Sequence, residues 1–126
     1  MRSPGGTSVI STVVQLLDFN RSLALDRVGG DEELFHEVAE LYLKEYPILI
    51  SQIQDAVRSG NAYDLHHLAH TLKGSLGTLG AETAAAQALS LEMMGRNHDL
   101  SSAQATLTEL HDTLERFHSE LQTALF

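Results

Sequence analysis

The chain has 126 residues, a length that suits one domain with a single core. It has 17 acidic and 8 basic residues and a formal net charge of −9, so most of its surface repels phosphate backbones and we expect no nucleic-acid partner. The absence of cysteine excludes disulfides and thiolate metal sites. No apolar run reaches the ~20 residues of a membrane span, and we expect no membrane contact by this domain.

The composition favours helices over strands, because aromatic residues make up only 6% of the chain and there are only two prolines. We predict that residues 1–16 form a flexible N-terminus or a linker helix, and that residues 17–126 form the folded domain. Asp18 is placed to cap a short helix over residues 20–28, which Gly29 and Gly30 would end.

Asp31 is the predicted N-cap of a long second helix, with two glutamates in its first turn, where the helix dipole favours acidic side chains. This helix should reach about residue 58, kink near Pro47 and end at a break over residues 59–61. Its apolar residues recur every three or four positions: Leu34, Val38, Tyr42, Tyr46, Leu49, Ile53 and Val57.

The third helix is predicted over residues 62–79, with Gly80 as its C-terminal stop. Its expected core stripe consists of Leu65, Leu68, Leu72, Leu76 and Leu79, with Ala69 beside it. An alanine-rich fourth helix should cover residues 81–95, followed by a polar turn at residues 96–99.

The last helix has an apolar seven-residue repeat typical of bundle packing: Ala103, Leu107, Leu110, Leu114, Phe117, Leu121 and Ala124. Four long amphipathic helices with short connections predict an all-α fold. We expect an antiparallel up-down four-helix bundle with an additional short N-terminal helix.

Chemically functional residues share one flank of the third helix. At about 100° per residue, the flank turned away from the leucines contains His66, His70, Lys73, Gly74 and Gly77. A neutral imidazole is a nucleophile near pH 7, which makes His70 a candidate for a covalent intermediate. Lys73 follows three residues later and could offset the charge of a phosphoryl group on His70. We interpret four other histidines as solvated or partly packed surface residues: His36, His98, His111 and His118.

Gly74 and Gly77 weaken the helix that contains them, since a glycine inside a helix costs about 1 kcal/mol relative to alanine. Close packing between helices is the ordinary explanation, but Gly74 points away from the leucine stripe. We therefore expect that a bulky partner needs the backbone beside His70 to be free of Cβ atoms.

The segment His70-Thr71-Leu72-Lys73-Gly74, with Gly80 six residues later, resembles the histidine-containing phosphotransfer (HPt) domain of multistep two-component phosphorelays. The pattern of that family is His-x-x-Lys-Gly followed six residues later by Gly. The similarity extends over about residues 17–121, because Leu17-Asp18-Phe19 and residues 29–34 resemble the start of the family and Leu91-Glu92 resembles its fourth helix.

This resemblance implies a phosphorelay intermediate rather than an enzyme with an ATP site, and the sequence has no Gly-x-x-x-x-Gly-Lys-Ser/Thr nucleotide loop. His70 would accept a phosphoryl group from one receiver-domain aspartate and pass it to another, and Lys73 would hold or orient that group. Gly74 would leave room for the receiver, and we add His66, His67 and Gly77 to the expected docking surface.

The implied partners are response-regulator receiver domains, which would supply Mg²⁺ from their own acidic pockets. We expect no cofactor and no metal site on this chain. The expected location is cytoplasmic, either as a free-standing protein or as a module covalently linked to a sensor histidine kinase.

Glu92 departs from the pattern of some family members, which place an amide side chain near the histidine at this position. A carboxylate there would repel a phosphoryl group. The sequence leaves two expectations open: either Glu92 points away from His70, or the auxiliary contact is missing.

Two other functions stay open on the sequence alone. His66 and His70 have the i, i+4 spacing of helical zinc ligands, but no third ligand is evident and His67 stands where the zincin pattern requires glutamate. A purely structural or interaction bundle would usually lack the nucleophile, whereas His70 and Lys73 are both present.

Overall fold

A computed structural model describes residues 18–125 of the chain. Five helices follow one another in this range: α1 (Arg21–Arg27), α2 (Glu32–Ser59), α3 (Ala62–Thr78), α4 (Glu82–Arg96) and α5 (Ala103–Leu125). Strands are absent from these residues, so the all-α prediction is confirmed. The predicted linker helix lies outside the described residues, and the boundary at residue 17 stays a prediction.

The four long helices form a square in which neighbours along the chain pack side by side. The contact between α3 and α4 is the most extensive, α4 also packs on α5, and α5 closes the square against α2. The short helix α1 contacts α2 and α3. Between residues 18 and 125, none of the helices combines the length and apolar character that crossing a bilayer requires.

The ends of α2 follow the predicted local signals. The Asp31 side chain accepts a hydrogen bond from the backbone N–H of Leu34 and caps the helix. Gly60 ends it in the left-handed conformation, with a φ of 70°. Between these ends the helix continues through Pro47 without interruption.

The predicted cap of α1 is wrong. Asn20, not Asp18, accepts a hydrogen bond from the backbone N–H of Leu23 and caps α1. Asp18 is buried and accepts a hydrogen bond from Nε of Arg116 at 2.9 Å. A buried carboxylate is costly unless it is paired, which favours the contact with α5 over a cap at an exposed helix end.

The core face of α2 differs from the predicted apolar stripe at its first residue, whereas the other members of the stripe are buried or pack against the core. Leu34 is 41% exposed, whereas its neighbour Phe35 is fully buried and stacks on Phe19 with ring centroids 6.0 Å apart. Apolar residues occupy more than one face of this helix, so their spacing does not decide which face is buried. The buried residues of α2 are Phe35, Ala39, Tyr42, Ile50, Ile53 and Ala56.

The core faces of α3 and α5 agree closely with the predictions. On α3 the predicted stripe is buried except for Leu68, which is half-buried. On α5 the seven-residue repeat is buried except for Ala124, which packs against the core from its edge. The buried leucine face of α3 fixes the rotation of this helix about its axis, so the flank that contains His70 faces outwards.

Gly80 ends the segment that follows α3, as predicted, and only glycine fits there. Its φ of +75° disfavours other residues, and a Cβ atom would lie 2.3 Å from the carbonyl oxygen of Asn20. The backbone N–H of Asn20 donates to the carbonyl of Gly80 at 3.0 Å. This close approach fixes the start of α1 against the connection between α3 and α4.

Candidate functional site

His70 lies in the middle of α3 with its side chain 64% exposed. Its Nδ1 lies 3.1 Å from Oε2 of Glu92, which comes from the adjacent helix α4. The expectation that Glu92 points away from His70 is therefore wrong, because its carboxylate points towards the histidine. The physical reason is that the same carboxylate also has a cationic partner.

That partner is Lys73, whose Nζ lies 2.8 Å from Oε1 of Glu92. The Glu92 side chain is only 10% exposed and the Lys73 side chain is 30% exposed, so water screens this ion pair less than it would screen a pair on the open surface. The Glu92 carboxylate thus bridges His70 and Lys73, the two α3 residues predicted to act together, and contacts each through a separate oxygen.

The ionisation of Glu92 follows from this arrangement. Burial raises the pKa of its carboxyl, but hydrogen bonding and charge interactions with Lys73 and His70 lower it more. The net result is that the pKa of Glu92 lies below the ordinary glutamate value. Glu92 is therefore a carboxylate at neutral pH and acts as an acceptor towards both neighbours.

Close packing between α3 and α4 brings Glu92 within reach of His70. A Cβ atom on Gly95 would lie 2.6 Å from the backbone nitrogen of His66 and 2.7 Å from the carbonyl oxygen of Ala62. Nδ1 of His66 also lies 3.3 Å from the main-chain oxygen of Glu92. Gly95 therefore lets the two helix backbones approach one turn away from the site.

The two interior glycines of α3 have different surroundings. Gly74 is exposed, and a Cβ atom there would meet nothing within 4 Å, so helix packing does not explain it. At Gly77 the nearest atom to such a Cβ would be Nη1 of Arg27, at 4.0 Å. Nη1 of Arg27 donates to the carbonyl of Gly77 and lies 3.2 Å from Oε2 of Glu82.

The two neighbouring histidines also differ. His66 is half-buried against α4, whereas His67 is exposed and its ring centroid lies 4.4 Å from that of Tyr63. Of the predicted docking residues, Gly74 and His67 are thus exposed, and His66 and Gly77 are partly covered. Among residues 18–125, no group of three or more potential ligands is placed to hold a metal ion.

A shallow groove runs between α2 and α3 next to Gly74. Its lining is partly apolar and consists of Val38, Leu41, Tyr42, Glu45, Thr71, Gly74, Ser75, Thr78 and Leu79. On the α2 side, Leu41 is 54% exposed and Ile48 is 67% exposed. The α2 side of this groove therefore includes a large apolar side chain, Leu41, that the core does not cover.

The role of Glu92 is the feature of this site that sequence reasoning missed. The sequence spacing could have indicated this contact, because His70 lies ten residues before Gly80 and Glu92 lies twelve residues after Gly80. In an antiparallel pair of helices, residues at similar distances from the turn lie side by side. Combined with the adjacent Lys73, this register indicates a carboxylate that is paired rather than repelled.

Comparisons with known proteins bear on the family and the fold of the chain. Residues 37–120 match the family described as the Hpt domain. A comparison with curated protein sequences gives no significant match. The fold is similar to that of histidine-containing phosphotransfer protein B from Pseudomonas aeruginosa, with a TM-score of 0.78 and 18% identity over 86% of this chain and 94% of that chain.

It is also similar to the HPT domain of a sensor hybrid histidine kinase from Shewanella, with a TM-score of 0.77 and 20% identity over 86% of this chain and 93% of that chain. At these identities the two structures support the fold, whereas the family match spans about two thirds of the sequence. The chain therefore belongs to the Hpt domain family and is a phosphorelay intermediate of two-component signalling.

Proposed function

We propose that His70 is the phosphoryl-accepting residue of this Hpt domain. Its Nε2 would take the group from a receiver-domain aspartyl phosphate and pass it to the aspartate of another receiver. The observation that supports this proposal is the exposed His70 ring, which is held at Nδ1 by a buried carboxylate that is itself paired with Lys73.

The contact with Glu92 selects the tautomer of His70. A carboxylate accepts hydrogen bonds, so Nδ1 must bear the proton, and the lone pair of the neutral ring is then on Nε2. The same logic applies to an acid residue that orients the histidine of a catalytic triad. We infer that Nε2 is the nucleophile and that it faces a docked partner.

Lys73 would supply the positive charge that phosphoryl transfer requires. Its Nζ is fixed by Glu92 one turn from His70, so little rearrangement is needed before it can contact a phosphoryl oxygen. Positioning and neutralisation of charge account for most of the catalysis in phosphoryl transfer. Mg²⁺ would come from the acidic pocket of the receiver, and we propose that this chain does not phosphorylate itself from ATP.

We further propose that the receiver covers Gly74 and the neighbouring groove between α2 and α3. Exposed Leu41 lines this groove, exposed Ile48 lies two turns further along α2, and both offer apolar area for a protein partner. The open space above Gly74 would allow a helix or loop of the receiver to approach His70 closely.

The test is transfer of a radioactive phosphoryl group from a phosphorylated receiver, with Mg²⁺ present. We expect an acid-labile label on the parent protein and none on His70→Gln, while His111→Gln, at an exposed position on α5, should be labelled normally. Lys73→Ala should be labelled at least about tenfold more slowly, which corresponds to about 1.4 kcal/mol of lost transition-state stabilisation. Lys44→Ala is the matched control, since Lys44 is the other lysine of the chain and is exposed on α2.

Label that persists in His70→Gln would contradict the assignment of the nucleophile. Equal rates in Lys73→Ala and Lys44→Ala would contradict the role of Lys73. Incubation of the parent protein with radioactive ATP alone should give no label, and a labelled product would contradict our proposal that this chain does not phosphorylate itself.

A further inference from the structure

The hydrogen bond between Glu92 and His70 can persist after phosphorylation. It uses Nδ1, whereas the proposed site of phosphorylation is Nε2, on the opposite side of the ring. A ring with a phosphoryl group on Nε2 and a proton on Nδ1 is formally cationic, so the contact with the Glu92 carboxylate becomes charge-assisted on both sides.

We infer that Glu92 keeps Nδ1 of His70 protonated while Nε2 bears the phosphoryl group, so that neutral imidazole leaves when the group is passed on. This inference rests on the proposed function of His70. We call the transfer of the phosphoryl group onto His70 the inward step and its transfer from His70 to a receiver the outward step. Glu92 then has a role in the outward step that is separate from selecting the tautomer before the inward step. Glu92 is thus a positioning residue that acts through His70.

The chemistry of the outward step shows why this proton matters. A carboxylate oxygen of the receiver attacks phosphorus, a P–O bond forms, the P–Nε2 bond breaks, and the electron pair of that bond returns to Nε2. With a proton on Nδ1 the departing ring is neutral imidazole. Without it the ring departs as imidazolate, a strongly basic anion and a poor leaving group. The proton stays on Nδ1 throughout, so the step needs no additional acid or base.

The geometry allows Glu92 to perform this role together with its ion pair. Lys73 binds Oε1 and His70 binds Oε2, so neither contact has to break for the other to form. Because the Glu92 side chain is only 10% exposed, water competes weakly for Oε2. A phosphoryl group that draws Lys73 towards itself would leave Glu92 with His70 as its remaining partner.

Few other charged groups face this hydrogen bond. On α3, His66 shares the flank and contacts the main-chain oxygen of Glu92. On α4, Arg96 follows Glu92 by one turn, and on α2, Glu45 lines the groove beside Gly74. Among the described residues, Lys73 and His70 are the two within ion-pair distance of the Glu92 carboxylate.

The first experiment compares Glu92→Gln with the parent protein. Both are phosphorylated on His70, purified, and mixed with the same receiver and Mg²⁺ over a series of pH values. Glutamine has the same shape and still accepts a hydrogen bond, but without the charge, so transfer should begin to slow at a lower pH than in the parent protein. At pH values above that point, the outward rate of Glu92→Gln should be about tenfold lower than that of the parent.

Glu82→Gln is the matched control, because it removes one negative charge from α4 at a residue that pairs with Arg27 and not with His70. Its pH profile should match that of the parent protein. Identical profiles for Glu92→Gln and the parent would overturn the inference and leave the proposed function intact. Absence of label on His70 in the parent protein would overturn the proposed function itself.

The second experiment uses only the parent protein, so it decides the question even if Glu92→Gln does not fold. Nitrogen-15 NMR of the phosphorylated protein reports directly whether Nδ1 bears a proton. We expect the proton to be present on Nδ1 at neutral pH while the phosphoryl group is on Nε2. A bare Nδ1 in the phosphorylated protein at neutral pH would overturn the inference.

Discussion

Glu92, His70 and Lys73 form one connected group, in which the Glu92 carboxylate contacts both of the other side chains. Lys73 helps to keep Glu92 ionised, Glu92 contacts Nδ1 of His70, and the His70 side chain is exposed. Under the proposed function this leaves Nε2 for a partner. Gly74 lies one turn from His70 and contributes by having no side chain. The proposed chemistry of this site therefore involves four positions, and one of them, Gly74, has no side chain.

Gly74 provides a test that separates stability from function. Gly74→Ala should raise the free energy of unfolding by about 0.5–1 kcal/mol, because alanine is the better helix former and its Cβ has free space here. Gly74→Leu should leave the fold helical but slow phosphotransfer from a receiver, since the longer side chain would occupy the docking surface. Denaturant unfolding and transfer kinetics measure the two effects.

Gly80→Ala is the contrasting control, since its positive φ and the nearby carbonyl of Asn20 should make that variant less stable than the parent. Normal transfer by Gly74→Leu would show that the receiver does not cover this position. A loss of stability in Gly74→Ala would mean that the glycine is needed by the fold.

At the scale of elements, the pair formed by α3 and α4 constructs the site. Small residues along α4 allow its backbone to approach α3, and the buried ones include Ala84, Ala88 and Gly95. The closest approach is at Gly95, one turn from Glu92. Packing between these helices is therefore a condition for the contact between Glu92 and His70, and not only a source of stability.

Gly95→Ala should accordingly damage both stability and the site. A Cβ atom 2.6 Å from the backbone nitrogen of His66 forces the helices apart, which should cost about 1–3 kcal/mol. The wider spacing should also weaken the contact of Glu92 with His70, visible as a changed Nδ1 signal in nitrogen-15 NMR. Ser90→Ala, an exposed substitution on the same helix, should change neither measurement. An unperturbed His70 signal in Gly95→Ala would contradict this account.

At the scale of the molecule, α5 ties the first described residues to the bundle. The Glu120 carboxylate accepts hydrogen bonds from the backbone N–H groups of Asp18 and Phe19, at 3.3 and 2.8 Å, and Arg116 pairs with Asp18. On another side of α5, the His118 ring packs against Tyr46 and lies within hydrogen-bond distance of the Tyr42 hydroxyl, at 2.6 Å. These contacts close the square between α2 and α5.

The environment of His118 predicts how the stability of the molecule varies with pH. Burial, with a smaller effect from nearby His111, lowers the pKa of His118 to about 4. The unfolded chain binds this proton near pH 6.5, so the unfolded state gains protons first as the solution is acidified. The stabilisation is complete above about pH 6.5 and is lost as the pH falls towards about 4.

We expect this loss to amount to about 2 kcal/mol, after allowance for partial solvent screening. Denaturant unfolding at a series of pH values measures it. His118→Gln should show a flatter dependence on pH over this interval, whereas His67→Gln, at an exposed position on α3, should follow the parent protein. Parallel curves for the parent and His118→Gln would rule out His118 as the source.

Sequence patterns determined much of this protein because they reflect local geometry. Asp31 and Gly60 act at helix ends through their own backbone and side-chain preferences, and the leucine stripe of α3 follows from helical periodicity. The same periodicity placed His70, Lys73 and Gly74 on a flank outside the core. Such features need only the residues of one helix, so a single sequence is sufficient to predict them.

The tertiary structure decided the features that depend on contacts between helices. It placed Leu34 on the surface and Phe35 in the core, because Phe19 packs on the latter. It drew Asp18 away from the cap of α1, because Arg116 lies within reach. It also turned Glu92 from an expected source of repulsion into the partner of Lys73 and His70, because Gly95 lets α4 approach α3 closely enough for one carboxylate to meet both.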